Sequence, residues 1–388
     1  MNRPPPQRVG YILTAVWEGG LERFTCELID GMDRDEFAPY LYVLTAHNPW
    51  IEQFERRGLP IRVFRGTNTP SIRSLPSLGL VLGQLARALR RDRIDVLHTC
   101  DFLPATLGRI ASLLAGTPHR IHTLHSLYDW YPSWTHKVNR LLAARTDCIT
   151  AVSRSVAAQA AVADKLPLDR LNVVLNGSDP QRFRPLPEAR AAIRAELGIP
   201  DDHLLIGSIG SITSRKAHHL LIEAVTPLVQ ENPRLHVALF GAANGGPQDD
   251  IERVRAAIFA SGRPEQFRVH PPRPDVERLF SAFDVHCMPS IVEGLSLASV
   301  EAQLCGSLSV LSDIGPFREV VQDGHNGFLF RSGDVQHLRE VLQKALALPD
   351  SASFRTAARE DALVRFDKQR MVATYLDLYR SFLSPRPL

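Results

Sequence analysis

Cysteine is scarce in this 388-residue chain, and nothing about its spacing suggests pairing. The five residues (Cys26, Cys100, Cys148, Cys287 and Cys305) are odd in number, widely scattered and free of any C-x-x-C. That pattern argues against a disulfide framework and a zinc-ribbon spacing, and fits buried thiols in a reducing compartment. No apolar run reaches the length needed to span a bilayer. The start, MNRPPPQRVGYIL, lacks the long apolar core of a signal peptide, so a cytoplasmic protein is expected. Net charge is only +3, which gives no global reason to expect a nucleic-acid partner. There is no G-x-G-x-x-G, P-loop, H-E-x-x-H or nucleophile elbow, and no low-complexity segment or short-period repeat.

What is present is an alternation of short apolar runs and helical periodicities. Val9–Thr14, Ala38–Leu44, Ile61–Phe64, Ile94–His98, Arg120–Leu124, Cys148–Val152 and Asn172–Leu175 read as strands, with helices expected over Leu78–Arg91, Pro104–Leu114 and Val138–Arg145. Strands separated by helices of about ten residues imply parallel βαβ units with right-handed crossovers. The proline-bearing stretch Asp179–Ala189 reads as an exit from a first domain. The alternation then restarts: Leu204–Ile209, Leu235–Phe240, Phe267–His270, Val285–Met288 and Leu308–Leu311 as strands, with helices between them. Length alone favours two domains. The expected fold class is therefore α/β, with two doubly wound Rossmann-like domains facing across a cleft. Their expected ranges are 1–180 and 181–366, followed by a final helical segment, 367–388.

The most informative stretch is Pro289-Ser-Ile-Val-Glu293-Gly-Leu-Ser-Leu-Ala-Ser-Val-Glu301-Ala. Two carboxylates stand eight residues apart, one at a helix mouth and one about two turns along the same face. Such a pair, with free helix N–H groups, can accept from sugar hydroxyls and face a phosphate, although a loop acid and an ordinary helix Glu would look the same. Gly19-Gly20, after the first strand, is open to two readings, a plain tight turn or a close backbone approach to a diphosphate. At the matching turn of the second half, Gly210-Ser-Ile-Thr-Ser-Arg215-Lys216 offers two cations to a departing diphosphate, or is a solvated charged turn. His125 and His98 follow strands and so point to the ligand-binding end of such a sheet, with a structural role equally open. The basic stretch Arg87–Arg93 is mostly a solvated helix face that could also meet anionic headgroups.

Taken together, Glu293-Gly294, Glu301-Ala302, Gly306, Glu319-Val-Val, Asp323-Gly324, Asn326-Gly327-Phe328 and Gly333-Asp334 resemble the signature of the retaining glycosyltransferases of family 4, which have the GT-B fold. Gly19-Gly20-x-Glu22-Arg23, Val152-Ser153 and Asn176-Gly-x-Asp179 extend the resemblance into the first half. It implies a transfer of a hexosyl-type sugar from a nucleotide-sugar donor to an acceptor hydroxyl with retention, in polysaccharide, glycolipid or natural-product glycoside synthesis. A UDP-sugar is favoured, with GDP- or ADP-sugars open. It also implies no tightly bound cofactor, no metal, a last helix that crosses back onto the first domain, and an acceptor that is a glycan, glycolipid or small molecule. Peripheral contact with the inner face of a membrane stays open.

Carried over by position, the resemblance assigns the donor to Gly19, Gly20, Gly210, Arg215, Lys216, Gly241, Glu293, Gly294, Leu295, Ser296 and Glu301. Glu293 would meet sugar hydroxyls, Glu301 the ribose and Lys216 the diphosphate. His125, Lys216 and Glu293 form the expected catalytic set. Trp17, His98, Trp130 and Trp134 are expected to contact the acceptor. Asp33-Arg-Asp35 imitates the metal-chelating D-x-D of another transferase class, but between a helix and a strand, away from the strand carboxyl ends. Three departures stand out: Ser211 where the family has Arg, Leu295-Ser296 in place of Phe-Gly, and Pro271-Pro272 ahead of Arg273. A nucleotide-sugar epimerase of the same fold and a non-catalytic nucleotide-sugar-binding protein are the alternatives.

Overall fold

The computed structural model describes residues 5–17, 19–66, 75–126, 132–242, 249–348 and 351–382. The chain divides into two compact units, Met1–Asn176 with Lys368–Leu388, and Gly177–Asp367.

The first unit is built on seven parallel strands: β1 (Gln7–Leu13), β2 (Phe37–Val43), β3 (Ile61–Val63), β4 (Val96–Cys100), β5 (His119–Leu124), β6 (Cys148–Ala151) and β7 (Leu171–Val173). Their order is β3-β2-β1-β4-β5-β6-β7, so the direction of winding reverses between β1 and β4. Tyr11 of β1 lies beside His98 of β4, and every residue of β4 is buried. Such strands sit inside a parallel sheet covered by helices on both faces, which is why VLHTC shows no alternation.

The second unit repeats the plan with six parallel strands: β8 (Leu204–Ile209), β9 (Leu235–Phe240), β10 (Phe267–His270), β11 (Val285–Met288), β12 (Ser309–Ser312) and β13 (Phe328–Phe330). The order β10-β9-β8-β11-β12-β13 reverses between β8 and β11. In open α/β sheets the crevice at such a reversal, beyond the strand carboxyl ends, is where ligands bind.

The last helix, Lys368–Ser381, belongs to the first unit and packs on the helix Gly20–Asp30. Met371, Val372, Tyr375, Leu376 and Tyr379 recur at helical spacing and are buried. A Cβ at Gly31 would lie 2.2 Å from Val372 Cγ1, so glycine is what lets the helix seat there. Burial of Met371, Val372 and Leu376 contributes about 1.5–3 kcal/mol each.

Several elements are not what the sequence pattern suggests. Arg154–Ala163, Pro187–Glu196 and Ala352–Arg365 are helices, and Phe328–Phe330 is a strand. Arg154–Ala163 is alanine-rich with little apolar contrast, and a three-residue strand carries no period. Pro187 opens its helix at the first turn, where a missing N–H costs nothing, so a stretch with the look of a linker begins a helix. The Asp33 carboxylate accepts from the Asp35 N–H at 2.9 Å, forming a local turn. Among the described residues, no helix is long and apolar enough to cross a membrane.

Candidate functional site

In the second unit the loops after β8 and β11 converge at the winding reversal. Gly210 closes β8 in a backbone conformation, φ +157°, that side chains rarely adopt. A Cβ on Gly241 would stand 1.9 Å from the Gly210 carbonyl oxygen, so the turns after β8 and β9 touch backbone to backbone only because residue 241 is glycine. The Ile212 N–H donates to the Ala242 carbonyl at 2.9 Å and the Ile291 N–H to the Arg215 carbonyl at 2.8 Å, which ties the Lys216 turn to the loop after β11. On this frame Lys216 Nζ donates to Glu293 Oε1 at 2.6 Å, with both side chains mostly covered. His218 and His286 are fully buried. Burial and then the Lys216 charge push both pKa values down to about 3, so these imidazoles stay neutral near the lysine. Arg215 is exposed, and Ser211 is half-buried.

Glu293 and Glu301 do not share a helix face. The helix spans only Leu297–Leu304 and Glu293 precedes it by four residues, because Gly294, Leu295 and Ser296 continue as loop. Leu295 and Ser296 are buried, and Ser296 stands at the helix N-cap with its side chain turned to Met288 Sδ rather than to the helix N–H groups. Glu301, 5% exposed, accepts from Ser178 Oγ at 3.2 Å. The two acids therefore have separate partners, a cation for Glu293 and a hydroxyl for Glu301.

The first unit gathers a different set at its own reversal, beyond β1, β4 and β5. Glu22, 8% exposed on the helix after the glycine pair, accepts from the Trp17 N–H at 3.3 Å. Its Oε2 lies 2.6 Å from where a Cβ of Gly19 would be, so Gly19 leaves room for a carboxylate. Burial raises the Glu22 pKa to about 7, and the nearby Asp101 charge adds to the shift. Asp101 itself ends β4 at φ +59°, ψ 170°, a region nearly reserved for glycine that costs a non-glycine residue ~1–3 kcal/mol. His125, after β5, packs edge-on against Phe24 at 4.6 Å between ring centres. Its Nε2 is buried without a hydrogen-bond partner among the described residues, and burial lowers its pKa to about 3.

His98 does not fit the acceptor role expected of it. It is 0% exposed, and its two ring nitrogens bond Tyr379 Oη and Thr123 Oγ1, each at 2.7 Å. With Tyr11 Oη 2.9 Å from Tyr379 Oη, it links the sheet to the last helix. Burial pushes its pKa down to about 3. Trp17 is 42% exposed beside the His47 ring, and Trp134 is 54% exposed beside Phe102. Trp130 lies outside the described residues. Sequence reasoning passed over Glu22 as a site residue, yet a signal was there: Glu22, Cys26 and Ile29 share one helical stripe whose other members are buried. Asp101 had no such signal, since positive φ leaves no trace in a sequence pattern.

Two family models match the chain: "Glycosyltransferase Family 4" over residues 18–182 and "Glycosyl transferases group 1" over residues 189–361. The chain belongs to the family 4 glycosyltransferases. Among its relatives, the alpha-maltose-1-phosphate synthase of Mycolicibacterium smegmatis is 28% identical over an alignment of 346 residues that covers 83% of this chain and 86% of the relative. The D-inositol 3-phosphate glycosyltransferase of Xylanimonas cellulosilytica is 29% identical over 310 residues, covering 76% and 73% of the two chains. The fold matches the crystal structure of Anabaena HepE in complex with UDP and glucose, with TM-score 0.86, 22% identity and coverage of 97% and 100%. It also matches the sucrose-phosphate synthase of Thermosynechococcus elongatus, with TM-score 0.78, 18% identity and coverage of 97% and 99%. These neighbours are GT-B glycosyltransferases, and this family 4 chain has the same two Rossmann-like domains.

Proposed function

We propose that this glycosyltransferase moves a hexosyl group from a nucleotide sugar to an acceptor hydroxyl with retention of anomeric configuration. The observation that carries the reading is the Lys216–Glu293 ion pair at the winding reversal of the second sheet. A donor diphosphate competes with Glu293 for the ammonium of Lys216. As Lys216 turns to the phosphate, Glu293 is released to accept from sugar hydroxyls. Glu301, already paired with a serine hydroxyl, is suited to a ribose hydroxyl. The C1–O bond to the diphosphate breaks with its electron pair leaving on the phosphate. The acceptor oxygen bonds C1 from the same face, and its proton passes to the departing phosphate oxygen. Lys216 and the backbone N–H groups around Gly294 and Ser296 balance the charge that develops, so fixed positive groups do the work a metal does elsewhere.

The neutral groups of the first unit suit a neutral acceptor. His125 as an uncharged imidazole keeps one ring nitrogen able to accept a hydrogen bond from a hydroxyl. Exposed Trp17 and Trp134 offer apolar faces to a sugar ring or a lipid-linked acceptor. A UDP-sugar is the favoured donor, in keeping with the UDP complex of the Anabaena neighbour. The exposed Arg87, Arg90 and Arg91 give the first unit a basic strip for anionic lipid, and co-sedimentation with phosphatidylglycerol vesicles at low and high salt tests it.

The deciding experiment follows nucleotide release from a panel of UDP-, GDP- and ADP-sugars, with the product anomer read by NMR. An inverted anomer overturns retention. Wild-type-like release by Glu293→Gln and Lys216→Ala overturns the site.

A further inference from the structure

The second unit contains a cavity of about 650 Å³ that the transfer chemistry does not use. It is lined by Asp284, which precedes β11, and by Cys305 and Gly306, which precede β12. It therefore opens at the amino ends of the strands, whereas Lys216 and Glu293 stand at their carboxyl ends. Its size and partly apolar lining are those of small-molecule sites.

Three guanidiniums, from Arg190, Arg355 and Arg359, reach this cavity. Arg190 is paired with Asp284, whose other oxygen is taken by Arg194. Arg355 and Arg359 form no ion pair among the described residues; both bond carbonyl oxygens. Arg355 donates to Gly306 and Asp284 carbonyls, and Arg359 to those of Phe183 and Leu304. They lie one helical turn apart on Ala352–Arg365, so their charges add on one wall. A guanidinium has five N–H donors in a planar fork that matches phosphate, and carbonyl partners do not neutralise its charge; the carboxylates at the cavity are Asp284, already shared by Arg190 and Arg194, and Glu360, so the arginines outnumber them. Leu363 continues the same helical stripe one turn beyond Arg359, and Leu186 and Phe280 add apolar lining from other elements.

We propose that this cavity binds a phosphorylated sugar, with the phosphate on Arg355 and Arg359 and the C–H face of the ring against Phe280 and Leu363. The ligand touches Cys305 and Gly306, just past the helix Leu297–Leu304; Arg359 bonds the Leu304 carbonyl at the end of that helix, Arg355 bonds the Gly306 carbonyl, and the helix carries Glu301. Occupancy is thereby felt at the donor side, and by linkage a donor is felt in the cavity.

The binding test is titration of the intact protein with glucose 6-phosphate in the absence of nucleotide, with inorganic phosphate and glucose alone as controls. At saturation, glucose 6-phosphate is expected to raise the melting temperature by a few degrees, about 2–4 °C per kcal/mol of binding linkage, and more than either control. Thr356→Trp fills the cavity from an exposed helix position and should abolish the shift, whereas Lys216→Ala should retain it. No shift in the wild type overturns the proposal. So does a shift that survives Thr356→Trp, or an equal response to inorganic phosphate. The coupling arm rests on the nucleotide-sugar reading: bound glucose 6-phosphate should change the Kd for UDP about fivefold or more in the wild type and not in Thr356→Trp. An unchanged Kd, with UDP binding intact, overturns the effector role; failure of UDP to bind at all counts against the nucleotide-sugar reading and leaves the titration to decide the cavity.

Discussion

The two units use one plan and arrive at opposite electrostatics. Each begins with a strand, a glycine-bearing turn and a helix, and each collects polar side chains where its strand order reverses. In the second unit a charged pair, Lys216 on Glu293, stands beside the buried neutral imidazoles of His218 and His286. In the first, burial disfavours charge: the Glu22 carboxyl is raised to about 7, so it is about half protonated at neutral pH beside the Asp101 charge, and the His125 and His98 imidazoles are lowered to about 3. Fixed charge at one reversal matches a diphosphate, whose own charge is large. Neutral donors and acceptors at the other match a hydroxyl. The fold supplies the location, and burial decides which chemistry the location can do.

The sharpest way to break this contrast is to remove the charge from the second unit. Lys216→Ala should lower kcat/KM for donor turnover by about 10²–10³-fold, the usual cost of losing one group that stabilises transition-state charge. Glu293→Gln should act in the same direction, with part of the loss in donor KM. Steady-state kinetics with purified protein measures both. A loss confined to KM would reduce Lys216 to ground-state binding.

The contrast predicts an equally specific pH signature in the first unit. The folded-state pKa of Glu22 is raised from 4.5 to about 7, so its contribution to stability is fully present below about 4.5 and is lost as pH rises through 7. The difference in unfolding free energy between wild type and Glu22→Gln should therefore fall over that window, by up to ~3 kcal/mol. The buried histidines act with opposite sign. Their depressed values make stability present above 6.5 and lost as pH falls toward 3, so only the difference between the two proteins isolates Glu22. Denaturant titrations at several pH values measure it, and parallel curves would show that Glu22 titrates alike in both states.

Much of this arrangement is legible in the sequence, and the reasons it stops are local. The βαβ alternation, the doubly wound class and the Lys216 turn follow from periodicity and from residue types at strand ends. The pairing of Lys216 with Glu293 does not, because it depends on β8 and β11 being neighbours across a crossover. His98 was misjudged for a related reason. It stands near a strand end, but Tyr379 of the last helix, 281 positions away, takes its Nδ1 and Thr123 of β5 takes its Nε2. Glu22 lies on an otherwise apolar helical stripe, which signals burial, but only the packing of its helix shows the carboxylate reaching beneath Gly19.

A smaller effect is expected at the rim of the first unit. Trp134→Ala should raise acceptor KM about three- to tenfold, the worth of roughly one aromatic contact, while donor hydrolysis without acceptor stays unchanged. Because the side chain is more than half exposed, the fold should survive the change. Equal losses in both assays would move Trp134 out of acceptor recognition.

The smallest effect tests whether the second unit's charge is already sufficient. Ser211 follows Gly210 on the turn that holds Lys216, at the position where the family carries arginine. Its half-buried place leaves the side chain a path to solvent, and the backbone on either side is fixed by the Gly210 and Ile212 N–H bonds to the neighbouring turn. Ser211→Arg adds a second cation to the same anion site, without disturbing those bonds. A partly exposed charge contributes about 1 kcal/mol at most, so donor KM should fall no more than about fivefold, and less at high salt, where exposed charges are screened. Measuring donor KM at two ionic strengths separates the outcomes. A fall that vanishes with salt means Lys216 leaves part of the diphosphate charge unmet. An unchanged KM means that Lys216, released from Glu293, meets it alone.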